Sequence, residues 1–193
     1  ITILIPRKNH QHQAVIKKGY LPTAFATRMP LSITPEHMAM ILQPLHRRSY
    51  GWGGAFFLND CSQEMKSIFT PFGIWIPRNT TQQMQMEPIE DLSDFNTEAR
   101  IKTLQEKGHP FMTLIFIGGH VMLYIGTHVW DNQTVAMTYQ NVWGLAPQTR
   151  DKRYVIGQSV FLPLLEQYPH HPDVVSLASR PLFQLLYLDQ MSE

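Results

Sequence analysis

Tyr50-Gly51-Trp52-Gly53-Gly54, followed by Asn59-Asp60-Cys61-Ser62, is the stretch from which the rest of the chain can be read. Glycines at 51, 53 and 54 make a poor helix or strand, because glycine loses the most backbone freedom on ordering. They mark a tight, irregular loop where another backbone or a ligand comes close. The loop leads to Cys61, the only cysteine of the chain. Beyond it, Met65, Ile68 and Phe69 are spaced for one face of a short helix. Asp60 is a good N-cap residue. Cys61 is therefore expected in the first turn of a helix, where free N–H groups and the positive end of the macrodipole favour a thiolate. The competing reading is a buried, inert thiol, since free cysteine is among the most buried residue types. The glycine loop and the polar neighbours Asp60 and Ser62 argue against a core position.

The 193 residues suffice for one good-sized domain, or one domain plus a small appendage. Hydrophobic residues make up 44% and charged ones 16%, a globular balance with a sparsely charged surface. A net charge of +1 and the lack of a basic run give no sign of a nucleic-acid partner. No apolar run approaches the ~18–20 residues of a membrane span. A lone cysteine excludes an internal disulfide. No signal peptide is visible, and opening at Ile1 without methionine suggests a trimmed or mature form.

Residues 1–30 do not look like a domain alone. Ile1–Ile5 reads as a strand, Pro6-Arg7-Lys8-Asn9 as a turn, and Ala14-Val15-Ile16 as a second short strand ended by Lys17-Lys18-Gly19. Two strands seldom stand alone in water. His10 and His12 form an H-x-H pair, read as a solvated turn because no further ligand is near. Thr34-Pro35-Glu36 starts a helix with buried face Met38, Ile41, Leu42 and Leu45, which Pro44 should kink or end. Phe72–Pro77 reads as a short buried segment. Residues 87–99 are acidic and irregular, with Asn96 as N-cap of a helix through Leu104. Phe111–Ile117 is a continuous apolar run, the signature of a central buried strand. Gly118-Gly119 breaks it, and His120–Gly126 is the next strand. His128 to Thr134 reads as a loop with Asp131-Asn132 as its turn. Strands follow at Val135–Val142 and Lys152–Pro163, then a proline-punctuated loop with His170-His171 and an apolar tail, Leu182–Leu188. Helices first and antiparallel strands after is an α+β pattern.

A catalytic cysteine usually works with a histidine that the fold brings close. His120 follows two glycines and opens an otherwise apolar strand, so its ring faces either solvent or a site. A third polar group should orient the imidazole. If the hairpin sets Gln140 opposite His120 or Met122, its side chain shares the face of His120. A slip of one residue would put it on the other face. His128 and Asp131 are rivals, but they sit far along the strand.

Tyr50-Gly-Trp-Gly-Gly, Asp60-Cys61-Ser62, Gly73-Ile74-Trp75-Ile76-Pro77-Arg78-Asn79, Gly119-His120-Val-Met-Leu-Tyr-Ile-Gly126 and Asn141-Val-Trp-Gly144 together resemble the NlpC-type bacterial cell-wall cysteine peptidases. The likeness runs from about residue 15 to about 165, and is nearest to the branch with SH3-like barrels before the catalytic domain. It implies a papain-like α+β core, with helices packed on an antiparallel sheet of about five strands. It implies two parts: residues 1–30 as the end of an SH3-like barrel with its linker, and 31–193 as the catalytic domain. It also implies hydrolysis of peptidoglycan stem peptides or muropeptides between γ-D-glutamate and the diamino acid, in the bacterial envelope, periplasmic or secreted. By the same resemblance Tyr50 and Asp60, helped by Ser62, hold the free amine of an N-terminal L-alanine. Trp52 belongs to the same substrate loop, and Arg78 is structural or substrate-shaping. The chain departs from the family at Gln140, where histidine is commoner, and at Gln63, where a small residue is commoner and glutamine could narrow the cleft.

In the mechanism these residues imply, the Cys61 thiolate attacks the scissile carbonyl. His120 takes the thiol proton and returns it to the leaving amine, and the Cys61 N–H contributes to an oxyanion hole. No metal or other cofactor is expected. Two alternatives stand beside it: a degenerate module that binds wall peptides without cutting, and an acyl transferase or deamidase with the same cysteine–histidine chemistry.

Overall fold

Apolar runs in the second half of the chain form an antiparallel meander of β4 (Thr113–Ile117), β5 (His120–Trp130), β6 (Gln133–Leu145) and β7 (Tyr154–Leu164). The structure, a computed structural model, describes residues 1–149 and 151–191. The apolar tail returns as β8 (Gln184–Tyr187) beside β4, and β3 (Ile89–Asp91) pairs with β8 at the edge. The sheet therefore has six strands in the order β3-β8-β4-β5-β6-β7, one more than expected. The extra strand is β3, three residues inside the stretch read as irregular. That is too short for an alternating pattern to show.

All five residues of β4 are buried, because both faces of the sheet are covered. Leu114, Phe116, Val121, Leu123 and Tyr139 meet Met65, Ile68 and Phe69 of helix α2 (Cys61–Phe69). Ile115, Ile117, Met122 and Tyr124 meet Leu104 of helix α4 (Thr97–Lys107), with Leu177 and Phe183. Met65, Ile68 and Phe69 are fully buried, each contributing about 1.5–3 kcal/mol in transfer terms. Helix α1 (Pro35–Leu45) is capped by Thr34, whose Oγ1 accepts from the His37 N–H at 3.3 Å. It buries Met38 and Leu42, and it ends one residue after Pro44. Asn96 caps α4, which runs one turn past Leu104 to Lys107.

The expected 128–134 loop is instead hairpin. Strand β5 continues to Trp130 and β6 starts at Gln133, so only Asp131 and Asn132 turn, with φ of 51° and 58°. Two consecutive left-handed residues make the tight turn whose twist matches the strands, and Asp and Asn tolerate it. At the other end of the chain, β1 (Thr2–Lys8) and β2 (Ala14–Tyr20) form a separate two-stranded sheet. Its turn lies later than expected: the Asn9 side chain accepts from the N–H groups of Gln11 and Gln13, both at 2.9 Å, and His10 and His12 are exposed. Leu4, Ile16 and Tyr20 are left uncovered on this hairpin.

Candidate active site

Helix α2 begins where the sequence predicts. Asp60 has extended backbone, and its Oδ1 accepts from the Gln63 N–H at 2.9 Å, the bond of an N-cap. The preceding loop turns back on itself, with the Gly51 N–H donating to the Asn59 carbonyl at 2.9 Å. A Cβ on Gly51 would lie 2.5 Å from Leu58 Cβ and 2.7 Å from the Leu58 carbonyl oxygen, so only glycine fits. Asn141 of β6 donates to the same Asn59 carbonyl at 2.9 Å, tying loop to sheet. The result sets Tyr50 against the N-terminus of α2.

Cys61 is not the open cysteine that its polar neighbours suggested: it is 6% exposed and belongs to the core. Asp60 and Ser62 are buried as well, because they are bonded to one another rather than to water. The sulfur is nevertheless not sealed in hydrocarbon. The Thr80 hydroxyl, at the start of the short helix α3 (Thr80–Gln83), lies 3.9 Å from it. Burial pushes the thiol pKa up, and the His120 imidazole, as hydrogen-bond partner and as charge, opposes it. With the Val121 N–H and the Thr80 hydroxyl it holds the thiol below its usual range.

The His120 ring is held from behind. Its Nε2 lies 2.8 Å from Gln140 Oε1. Gln140 is fully buried and its amide donates to Thr138 Oγ1 at 2.9 Å; that hydroxyl in turn donates to the Leu162 carbonyl at 2.8 Å. The chain of donors leaves only the amide oxygen for His120, so Nε2 carries the hydrogen and Nδ1 is the nitrogen left for the thiol. The hairpin register thus puts Gln140 on the side of His120. His128 and Asp131 lie about 26 and about 36 Å along the strand, at ~3.3 Å per residue, and both are exposed.

The remaining candidates divide. Tyr50 faces the site: burial, then the negative charges of Cys61 and Asp60, push its phenol well up. Trp52 is exposed and packs edge-on against Tyr50 at 5.1 Å and near Trp143 at 5.8 Å. Arg78 clamps Asp60 with two parallel bonds, Nη1 to Oδ1 at 3.0 Å and Nη2 to Oδ2 at 2.9 Å. Ser62 donates to Asp60 Oδ1 at 3.1 Å and accepts from Arg78 at 3.2 Å. Burial raises the Asp60 pKa, but Arg78, the Gln63 N–H and Ser62 more than reverse that and hold it below the usual carboxylate range. Gln63 reaches along its own helix to Ser67 Oγ at 3.3 Å, so it does not narrow the cleft.

A cleft of about 260 Å³ opens beside His120, lined by Tyr50, Trp52, Gly118, Gly119, Trp143 and Arg153 among others. Trp143 stands at a β-bulge between Val142 and Gly144, the kind of irregularity that re-aims a side chain. A larger groove of about 940 Å³ lies at the opposite end of β5, around Trp130 and Gln105, and contains none of these residues. Among the described residues, no group of three or more His, Cys, Asp or Glu is arranged to hold a metal ion. Sequence reasoning missed three participants. Thr80 falls just past the Gly73–Asn79 motif and carries no signal of its own. Trp143 was quoted only within a motif. Glu64 is 1% exposed and accepts from Tyr139 and Ser159, each at 2.7 Å, and from Asn59 at 2.6 Å.

The NlpC/P60 family pattern matches residues 47–150, more than half of the chain and all of Tyr50, Cys61, His120 and Gln140. The chain belongs to the NlpC/P60 family. This is a family of cysteine peptidases, generally hydrolases of cell-wall peptidoglycan. Among solved structures, an NlpC/P60 endopeptidase from Photobacterium damselae subsp. piscicida is 26% identical, with a TM-score of 0.83. The match covers 100% of this chain and 47% of that one, so the chain spans about half the length of that relative. An NLP/P60-family protein from Staphylococcus aureus subsp. aureus Mu50, described as similar to lipoprotein, is 15% identical over 80% of this chain and 44% of its own, with a TM-score of 0.40, too slight a likeness to carry an argument. No curated protein matches. The NlpC/P60 assignment accounts for the α+β architecture. Among the described residues no helix is long and apolar enough to cross a membrane.

Proposed function

We propose that this NlpC/P60 chain is a cysteine peptidase that hydrolyses the γ-D-glutamyl–diamino acid bond of peptidoglycan stem peptides. The observation that carries the proposal is the suspended imidazole: Gln140 takes its Nε2 hydrogen at 2.8 Å and leaves Nδ1 to the Cys61 thiol, whose pKa is lowered. His120 draws the proton from the sulfur, the thiolate adds to the carbonyl, and the resulting imidazolium protonates the leaving amine. Water then releases the acyl group by the reverse sequence. The Cys61 N–H, in the first turn of α2, becomes an oxyanion donor, a role worth about 2.7–4 kcal/mol of barrier. Gln140 orients the ring through its oxygen without adding charge.

The preference for a free N-terminal L-alanine is part of the proposal. Asp60 Oδ1 already accepts three hydrogen bonds, but Oδ2 accepts only one, from Arg78, and keeps a lone pair for an ammonium group. Trp52 and Tyr50 form the apolar wall of that subsite, with Arg78 and Ser62 fixing the carboxylate. We also assign residues 1–30 to the end of an SH3-like barrel and its linker, and 31–193 to the catalytic domain. The uncovered Leu4, Ile16 and Tyr20 on a two-stranded sheet support this. The site of action is the bacterial envelope, periplasmic or external.

One observation favours a second reading, a module that binds wall peptides without cutting them: the sulfur is only 6% exposed. Mass spectrometry of defined muropeptides decides between them. Cleavage is expected at the γ-D-glutamyl bond, and none with Cys61→Ala, whose melting temperature should stay close to that of the parent. Binding without any new mass would favour the second reading, and amide exchange or loss without chain scission would favour an acyl transferase or deamidase.

A further inference from the structure

The cleft beside His120 carries two cations that the catalytic residues do not use. Arg153 and Arg180 line it together with Trp52, Trp143 and His120, and no Asp or Glu lines it. Among the described residues neither arginine is in an ion pair. Both fall outside the stretch matched to the family, 47–150. Each has a structural mount. Arg180 sits on a segment held by the buried Arg100, which donates to the Ala178 carbonyl at 2.8 Å and to the Arg180 carbonyl at 2.6 Å. Further bonds from the same guanidinium to Leu92 and Ser93 anchor it to the chain before α4. Arg153 precedes β7, and its stem crosses Gly144: a Cβ there would lie 3.1 Å from Arg153 Cγ and 2.5 Å from the Tyr154 carbonyl oxygen. Its guanidinium approaches the Gly144 carbonyl at 3.5 Å, too long to occupy it.

We infer that Arg153 and Arg180 form a carboxylate-binding subsite that selects acidic peptides at this cleft. Guanidinium groups match carboxylates two bonds at a time, and an unpaired cationic cleft without acidic residues favours an anionic ligand. The inference rests on the stem-peptide reading, where two carboxylates are at hand: the α-carboxylate of the γ-linked glutamate, and the second carboxylate of diaminopimelate. The subsite makes Arg153 and Arg180 specificity-determining rather than catalytic.

The test is a titration of the full chain carrying Cys61→Ala, followed by the fluorescence of Trp52 and Trp143 in the same cleft. Three peptides are used, each with its C-terminal carboxyl amidated: L-Ala-γ-D-Glu-meso-diaminopimelate, the same peptide with the glutamate α-carboxylate also amidated, and the peptide with lysine in place of diaminopimelate. The first should bind tightest. Arg153→Gln with Arg180→Gln should weaken it roughly tenfold to a hundredfold, the scale of losing a charge-assisted pair. The peptide lacking the contacted carboxylate should already be weak and lose little more, which identifies the carboxylate involved. Unchanged melting curves, and intermediate affinity with Arg153→Lys and Arg180→Lys, exclude misfolding. Equal losses for all three peptides, no loss for any, or no binding at all would overturn the subsite. Turnover with Cys61 intact separates the two proposals. Arginine-dependent binding without cleavage leaves the subsite standing and removes the hydrolase, whereas cleavage indifferent to charge does the reverse.

Discussion

Two polar clusters lie between helix α2 and strand β6, three residues apart on the helix, and they behave in opposite ways. At the helix N-terminus Cys61 meets His120, which leans on Gln140. One turn on, Glu64 meets Tyr139, Ser159 and Asn59. Cys61 and Gln140 are buried in the first, Glu64, Tyr139 and Ser159 in the second. In the Glu64 cluster the carboxylate receives three hydrogen bonds from neutral donors, so nothing in it is left to react. Burial and the Glu64 charge push the Tyr139 phenol well above its ordinary range, which keeps it a proton donor to the carboxylate. In the Cys61 cluster the partner is a ring that can take a proton, and the thiol pKa falls. The difference is in the partner: an imidazole nitrogen can accept a proton from the group it faces, whereas the phenol, hydroxyl and amide around Glu64 only donate hydrogen bonds to it.

The contrast is sharpest when each cluster is broken. Glu64→Ala strands three buried donors and should cost about 2–5 kcal/mol of stability, read as a lower denaturation midpoint, with activity lost only as a consequence. Glu64→Gln keeps the volume and part of the bonding and should cost less. Gln140→Ala frees the His120 ring and should slow turnover between about fivefold and a hundredfold, the effect of ~1–3 kcal/mol. Gln140→Glu, which keeps an acceptor oxygen, should recover part of that rate. A purely structural role for Gln140 predicts no such recovery.

The smallest expected effect is acid-dependent. The Asp60 pKa is lowered in the folded chain, so its stabilisation is full above the ordinary carboxylate pKa of ~3.9 and is lost as pH falls through the folded value. Asp60→Asn still caps α2 but surrenders the Arg78 pair. Because Arg78 is 39% exposed, the neutral-pH loss should be no more than about 1 kcal/mol. The melting temperature of this variant should vary less than the parent's below about pH 4.

Much of this arrangement was written locally. The Asp60 cap, the Met65-Ile68-Phe69 face and the apolar run into Gly118-Gly119 each depend on neighbours in sequence, and each stands as read. The pairing of β8 between β3 and β4 depends on contacts some 70 to 100 residues apart and leaves no local trace. The burial of Cys61 was misjudged because Asp60 and Ser62 read as solvent-facing. Their solvent is replaced by Arg78, whose approach no spacing rule gives. Glu64 did leave a clue. It lies three residues after Cys61 and four before Ile68, so it shares the buried face of α2, and a carboxylate there demands buried donors.

The claim that His120 activates Cys61 is tested most directly by the pH dependence of iodoacetamide alkylation. The rate should rise and level off at a pH below the ~8.5 of an ordinary thiol, and His120→Ala should move that rise upward while leaving the fold intact. A sulfur that alkylates only above ~8.5 in both proteins, or only after unfolding, would contradict it.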